Sequence, residues 1–295
     1  MQKLIITFLI LIFLACSDQG DQRDGGRLSV LVSIVPQKYF VNRIAGDLVD
    51  VTVLIPPGAS PVTYEISPSD MRAVNSADIW FTIGVQKEEE WSQDFPSINE
   101  KLAIESTINN IERLSIARYG IPGESECHSD HSHEGDDPHV WLAPELVKRQ
   151  AEEICRILSH ADPINRDVYS SNLAIWLSEI KEIQDSAHQT FDSITGKSFI
   201  VFHPAWGYFA DEFNLNQVPI EIAGNEPTPS EMVELINYAR GNSIDVIFVS
   251  PQFSDVAANT IAEDLGASLI IIDPLAFDWI ENMNLVTDSF KRALQ

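Results

Sequence analysis

From Asp162-Pro163 to Gly196 the chain runs without an internal glycine or proline. Within that stretch apolar residues recur at Tyr169, Leu173, Trp176, Ile180, Ile183, Ala187, Phe191 and Ile194. Steps of three and four residues lay them along one face of an α-helix. Asp162 reads as an N-cap with Pro163 at the first helical position. The spacing predicts one helix over residues 162–195, roughly 33 residues and ~50 Å long. A helix of that length overruns a single small domain. It is a strut that starts on one lobe and ends on another. Half of a coiled coil is the alternative, but the chain holds no second stretch of like length to pair with it.

On both sides of the strut, β-rich apolar runs alternate with helical patterns. Before it, strands are predicted at residues 28–35, 49–55 and 78–84, with helices at 37–45 and 69–76. Weaker strands are read at 101–105 and 113–117, and a further helix at 144–159. After it, strands are predicted at 198–202, 218–222, 245–249 and 268–272. The helices there are 205–212, 230–240 with Ser230 as N-cap, 255–265 stopped by Gly266, and 283–294. Strand–helix alternation argues for parallel sheets with right-handed crossovers. The predicted class is therefore α/β: two lobes, each a mostly parallel sheet flanked by helices, joined by one long helix. The expected organisation is a signal peptide at 1–15, a tether at 16–27, an N-terminal lobe at 28–161, the linking helix at 162–195 and a C-terminal lobe at 196–295.

The first residues carry one lysine, Lys3, and then an apolar run from Leu4 to Ala15. That is a secretory h-region, too short to span a bilayer. It ends Phe13-Leu14-Ala15-Cys16, which resembles a lipoprotein signal with Cys16 as the lipidated residue, although Phe13 stands where leucine is usual; a plain signal peptide or a buried N-terminal helix is the alternative. The chain is then exported, periplasmic or at the cell surface, and held to a membrane by lipid alone. Residues 17–27 are polar and glycine-rich and read as a tether. The formal charge of −25 repels nucleic acid and anionic lipid. Of the three cysteines, Cys127 and Cys155 remain as an even pair in an exported chain. A disulfide between them and a thiolate role for Cys127 are both open.

Four of the seven histidines fall between Cys127 and His139. His128, His131 and His133 sit among Ser, Asp, Glu and Gly, in a polar loop suited to loose metal handling. His139 is different: it follows Pro138 and leads into Val140-Trp141-Leu142, where a packed element can hold it rigidly. His203-Pro204 and Asp273-Pro274 stand at the carboxyl ends of two predicted strands of the second lobe. Ligands of open α/β sheets bind beyond those ends. Neighbouring prolines fix the backbone that carries each side chain. Two imidazoles and a carboxylate suit zinc or another divalent transition metal. Each could alternatively be a strand-end cap or a satisfied buried polar group.

Four motifs together resemble the zinc or manganese substrate-binding proteins of bacterial metal ABC importers, the cluster with a long backbone helix. They are Pro56-Pro57-Gly58-Ala59-Ser60-Pro61-Val62-Thr63-Tyr64-Glu65, Asp137-Pro138-His139-Val140-Trp141-Leu142, Phe202-His203-Pro204-Ala205-Trp206-Gly207-Tyr208 and Ile272-Asp273-Pro274-Leu275. The resemblance runs from about Leu28 to Leu294. It implies a monomeric binding protein that captures Zn²⁺ between its lobes and presents it to a permease and its ATPase. It implies His139, His203 and Asp273 as ligands. A histidine at the third-ligand position and a histidine-rich loop go with zinc in such proteins; Mn²⁺ is the alternative cargo.

One position departs from that pattern. Where the family places its first histidine this chain has Val62, which cannot bind a metal. The remaining three ligands leave an open position, and Glu65 or a loop histidine is a candidate to fill it. Two other functions fit a weakened site. One is a surface adhesion or interaction protein. The other is a hydrolase built on open zinc, but the chain has no His-Glu-x-x-His and no Gly-x-Ser-x-Gly. The reading is therefore a binding protein and not an enzyme.

Overall fold

The fold is taken from a computed structural model that describes residues 26–122, 135–221, 225, 227–252 and 256–295. Cys16, Cys127, His128, His131 and His133 lie outside the described residues.

The N-terminal lobe opens with β1 (Leu28–Val32), α1 (Val35–Ala45) and β2 (Val49–Val53). It continues with α2 (Pro68–Ser76), β3 (Ile79–Thr82), α3 (Lys87–Ile98) and β4 (Ala103–Ser106), and α4 (Pro144–Ala161) closes it. α5 (Arg166–Phe191) links it to the second lobe. That lobe runs β5 (Ser198–Val201), α6 (Gly207–Glu212), β6 (Asn216–Pro219), α7 (Pro229–Gly241), β7 (Val246–Val249), α8 (Val256–Leu265), β8 (Ser268–Ile271) and α9 (Trp279–Leu294).

Each lobe holds a four-stranded sheet, in the order β2-β1-β3-β4 and β6-β5-β7-β8, and every pairing is parallel. The same topology therefore occurs twice. The inner strand β1 reads as a near-continuous apolar run because helices cover both its faces, whereas the edge strand β2 alternates, with Asp50 and Thr52 exposed. In each sheet the strand order reverses between the first strand and the third, so the crevice lies beyond the carboxyl ends of β1 and β5.

The apolar stripe of the linking helix is buried as its spacing requires: Tyr169, Trp176, Ile180, Ile183, Ala187 and Phe191 all face the core. The helix itself is shorter than its pattern. It has 26 residues, hence about 39 Å. Pro163–Asn165 form a separate 3-10 turn, and Asp162 caps no backbone amide there. Its carboxylate instead accepts from Asn165 Nδ2 at 2.6 Å and Tyr169 Oη at 2.7 Å. Beyond Phe191 the chain turns, with Gly196 at φ +78°, so Ile194 stays buried without being helical.

Other boundaries also move. Residues 113–117 are not a strand: Ser115 makes one antiparallel bridge to Asp136, and Ile116–Arg118 form a 3-10 turn. α7 is capped by Thr228, whose side chain accepts from Glu231 N, so Ser230 lies inside the helix. α3 has no counterpart in the sequence reading. Its acidic first turn and internal Pro96 hide a helix that buries only Glu88, Trp91 and Phe95.

One apolar core runs through both lobes, from Leu28 and Phe40 through Trp176 on α5 to Phe199, Trp279 and Phe290. A smaller cluster packs the second sheet against α7 and α8. The lobes are tied further by polar bonds. Trp141 Nε1 donates to Pro274 O at 2.7 Å, and Trp279 Nε1 donates to Trp141 O at 2.7 Å. Glu145 N at the start of α4 donates to Glu212 of α6. Cys155 is buried on α4 and forms no disulfide among the described residues; its pairing with Cys127 lies outside them.

Candidate metal centre

The second lobe delivers its side chains by register. Val201 of β5 pairs with Pro219 of β6, and Val249 of β7 with Ile271 of β8. His203, Glu221 and Asp273 each stand two residues past those last partners, on the same edge of one sheet. His203 and Glu221 are therefore neighbours on adjacent strands, and His203 Nδ1 lies 3.1 Å from Glu221 Oε2. Asp273 is two strand spacings from His203, on the order of 10 Å between backbones.

The first lobe delivers His139 through the 3-10 turn Val140–Leu142, whose three residues are fully buried. Asp137, also buried, accepts from His139 N at 2.9 Å and holds His139 Nδ1 at 2.7 Å. Its other oxygen accepts from Tyr119 Oη at 2.5 Å, and its carbonyl accepts from Tyr208 Oη at 2.9 Å.

These two deliveries meet. His139 Nε2 and His203 Nε2 are 3.3 Å apart, with ring centroids at 5.1 Å and planes at 75°. Each side chain is 13% exposed. A carboxylate accepts, so each Nδ1 carries the proton and each Nε2 presents a lone pair. Burial, its largest cause, lowers the pKa of His203 and keeps that ring neutral. The two Nε2 atoms thus face one another across the gap between the lobes.

Asp273 joins the same floor through its neighbours. Its Oδ1 accepts from Gln252 Nε2 at 2.6 Å and from Leu275 N at 2.9 Å. Pro274, next in sequence, receives the Trp141 indole two residues beyond His139. Even so, the described residues contain no group of three His, Cys, Asp or Glu side chains already gathered around one point. The two histidines are together, and Asp273 stands to one side of them. Glu65 stands apart. Its side chain is 80% exposed and accepts from Lys87 Nζ at 2.8 Å. Val62 is half-exposed on the same loop.

Sequence reasoning missed Tyr119, Glu221 and Gln252. Only Glu221 left a signal, as a lone carboxylate in the apolar run at 218–222. Tyr119 lies just past the segment whose pattern suggests a strand.

Twin parallel sheets on one long helix, with facing imidazoles where their loops meet, define a two-lobed substrate-binding protein. The chain belongs to the family described as "Zinc-uptake complex component A periplasmic", which its residues 30–293 match. It is 28% identical over 282 residues to the "Zinc-binding lipoprotein AdcA" of Streptococcus pneumoniae strain R6, covering 92% of this chain but only 55% of that protein. It is 27% identical over 288 residues to the "High-affinity zinc uptake system protein ZnuA" of Bacillus subtilis, covering 92% of this chain and 87% of the relative. A solved structure, "Crystal structure of ZnuA", superposes with a TM-score of 0.83 at 36% identity, over 92% of this chain and all of that one.

Proposed function

We propose that this protein captures Zn²⁺ between its two lobes and hands it to the permease and ATPase of an ABC importer. His139 and His203 bind through Nε2, and Asp273 supplies the carboxylate. The observation that carries this reading is the 3.3 Å between the two Nε2 atoms. Two nitrogens bound at 2.0–2.1 Å to one tetrahedral zinc stand about 3.3–3.4 Å apart. The 3.3 Å separation matches that spacing. Each imidazole is also oriented by a carboxylate behind it, the outer arrangement that metal-binding histidines use. Imidazole ligands favour zinc over manganese.

Three protein ligands leave a fourth position for water or a further donor. An open position suits cargo that must leave again. The chain binds and releases its metal unchanged and is not an enzyme. It works outside the cytoplasm as a monomer, anchored through Cys16, with His128, His131 and His133 collecting metal near the cleft.

Competition titration of Zn²⁺ against a chelator of known affinity tests this. His139→Ala and His203→Ala should each weaken binding by at least ~100-fold, the loss of one inner ligand being larger than that of an outer partner. Tight zinc binding indifferent to both substitutions would refute the cleft site.

A further inference from the structure

Tyr119 has no place in a list of ligands, yet its hydroxyl ends on the carboxylate that orients one of them. Asp137 is completely buried. Its Oδ1 serves His139 twice, through the backbone N–H and the ring Nδ1, and its Oδ2 is held by Tyr119 Oη at 2.5 Å. Burial first, and then the Asp137 charge, raises the Tyr119 pKa, so the phenol keeps its proton and donates.

Tyr119 is itself fixed from the other lobe. A Cβ on Gly207, the first residue of α6, would lie 1.9 Å from Tyr119 Oη. Only glycine leaves room for the phenol there. The backbone around Asp137 is pinned to the same neighbourhood: Asp137 N donates to Leu114 O at 2.7 Å, Ile116 N to Gly135 O at 3.1 Å, and Leu114 N to Tyr208 Oη at 2.9 Å. The tyrosine, the aspartate and the histidine therefore form one chain of contacts running from α6 to the His139 imidazole.

We propose that Tyr119 is a positioning residue for metal capture. It locks Asp137 in the rotamer that keeps His139 as its Nδ1–H tautomer, with Nε2 aimed at His203. The proposal rests on the zinc reading given above. Without the hydroxyl, Oδ2 of a buried carboxylate loses its donor. Asp137 then turns to find another, and the His139 ring loses its fixed direction.

The test is zinc competition on the purified protein carrying Tyr119→Phe, His139→Ala, or both. Tyr119→Phe should weaken zinc by about 10-fold or more, the scale of outer-partner losses. In the His139→Ala background it should cost nothing further, because its effect passes through that ring. Gly207→Ala, which displaces the phenol while leaving its hydroxyl intact, should repeat the loss. Long-range ¹H–¹⁵N spectra of the metal-free protein should show a single His139 tautomer in wild type and a mixture in Tyr119→Phe. Unchanged affinity in Tyr119→Phe, or the same factor lost with and without His139, would overturn the positioning role. Wild-type affinity in His139→Ala would overturn the zinc site itself and this role with it.

Discussion

The Nε2 atoms of His139 and His203 lie 3.3 Å apart, although 64 positions separate the residues and different lobes carry them. In the proposed site one zinc bridges that gap, so binding favours the folded state over the unfolded chain. Zinc should therefore raise the melting temperature in proportion to the logarithm of its free concentration, by about 2.7 kcal/mol of stability at 100 times the Kd. A chelator should reverse the rise. His203→Ala should abolish the zinc-dependent rise, whatever the melting temperature of its metal-free form. Calorimetry or circular dichroism with and without zinc measures the rise in wild type and its loss in the variant.

In the proposed site Glu221 acts on the metal only through His203, whose Nδ1 it holds at 3.1 Å. Its removal should leave the ligands in place but free the ring to rotate and to change tautomer. Glu221→Ala is expected to lower zinc affinity ~10–100-fold. That is a smaller loss than His203→Ala and should appear in the same chelator titration. An equal loss in the two variants would make Glu221 a ligand in its own right.

Glu65 is the sequence candidate for the fourth donor that the geometry does not support. It is paired with Lys87 at the surface, and exposed pairs contribute about 0–1 kcal/mol to stability. Glu65→Ala should leave zinc affinity within a factor of about 3, a shift below 1 kcal/mol in binding. A 100-fold loss would show that the loop carrying Val62 and Glu65 closes over the cleft when zinc binds.

The parts legible in the sequence were those set by local periodicity. The α5 stripe, the twin strand–helix alternations and the placing of His139, His203 and Asp273 at the ends of elements follow from spacing along the chain. What escaped depends on register or on tertiary contacts. Glu221 becomes a partner of His203 only because Val201 pairs with Pro219. Tyr119 finds Asp137 only because residues 114–116 run antiparallel to 135–137. α3 is hidden because its charged face outweighs Trp91 and Phe95, which pack on Trp80 across the sheet. Ser230 and Thr228 compete as caps because both are followed by helix formers. Glu231, whose carboxylate accepts from Thr228 N at 2.7 Å, decides between them.

Glu88 supplies the remaining prediction. It is buried where α3 begins and accepts from Ile83 N at 2.9 Å, Gly84 N at 2.6 Å and Ser33 Oγ. Burial raises its pKa from 4.5 to about 7, against the lowering effect of those donors. The folded state therefore binds this proton more tightly than the unfolded chain does. Its contribution to stability is fully present below pH ~4.5. It is lost as pH rises through ~7 and changes no further above that, with up to about 3 kcal/mol at stake. Burial of neutral His203 works in the opposite sense, since an unfolded histidine takes up a proton more readily at low pH. The wild-type profile alone therefore mixes the two. Glu88→Gln isolates one of them: the amide mimics the protonated acid, accepting from Ile83 and Gly84 while facing Ser33 Oγ with its N–H. Urea unfolding between pH 4.5 and 8 should show wild type and Glu88→Gln nearly equal at the acid end. The variant should be progressively more stable than wild type as pH approaches 8. A constant difference across that range would mean that Glu88 keeps its charge in the fold, held by its three donors against burial.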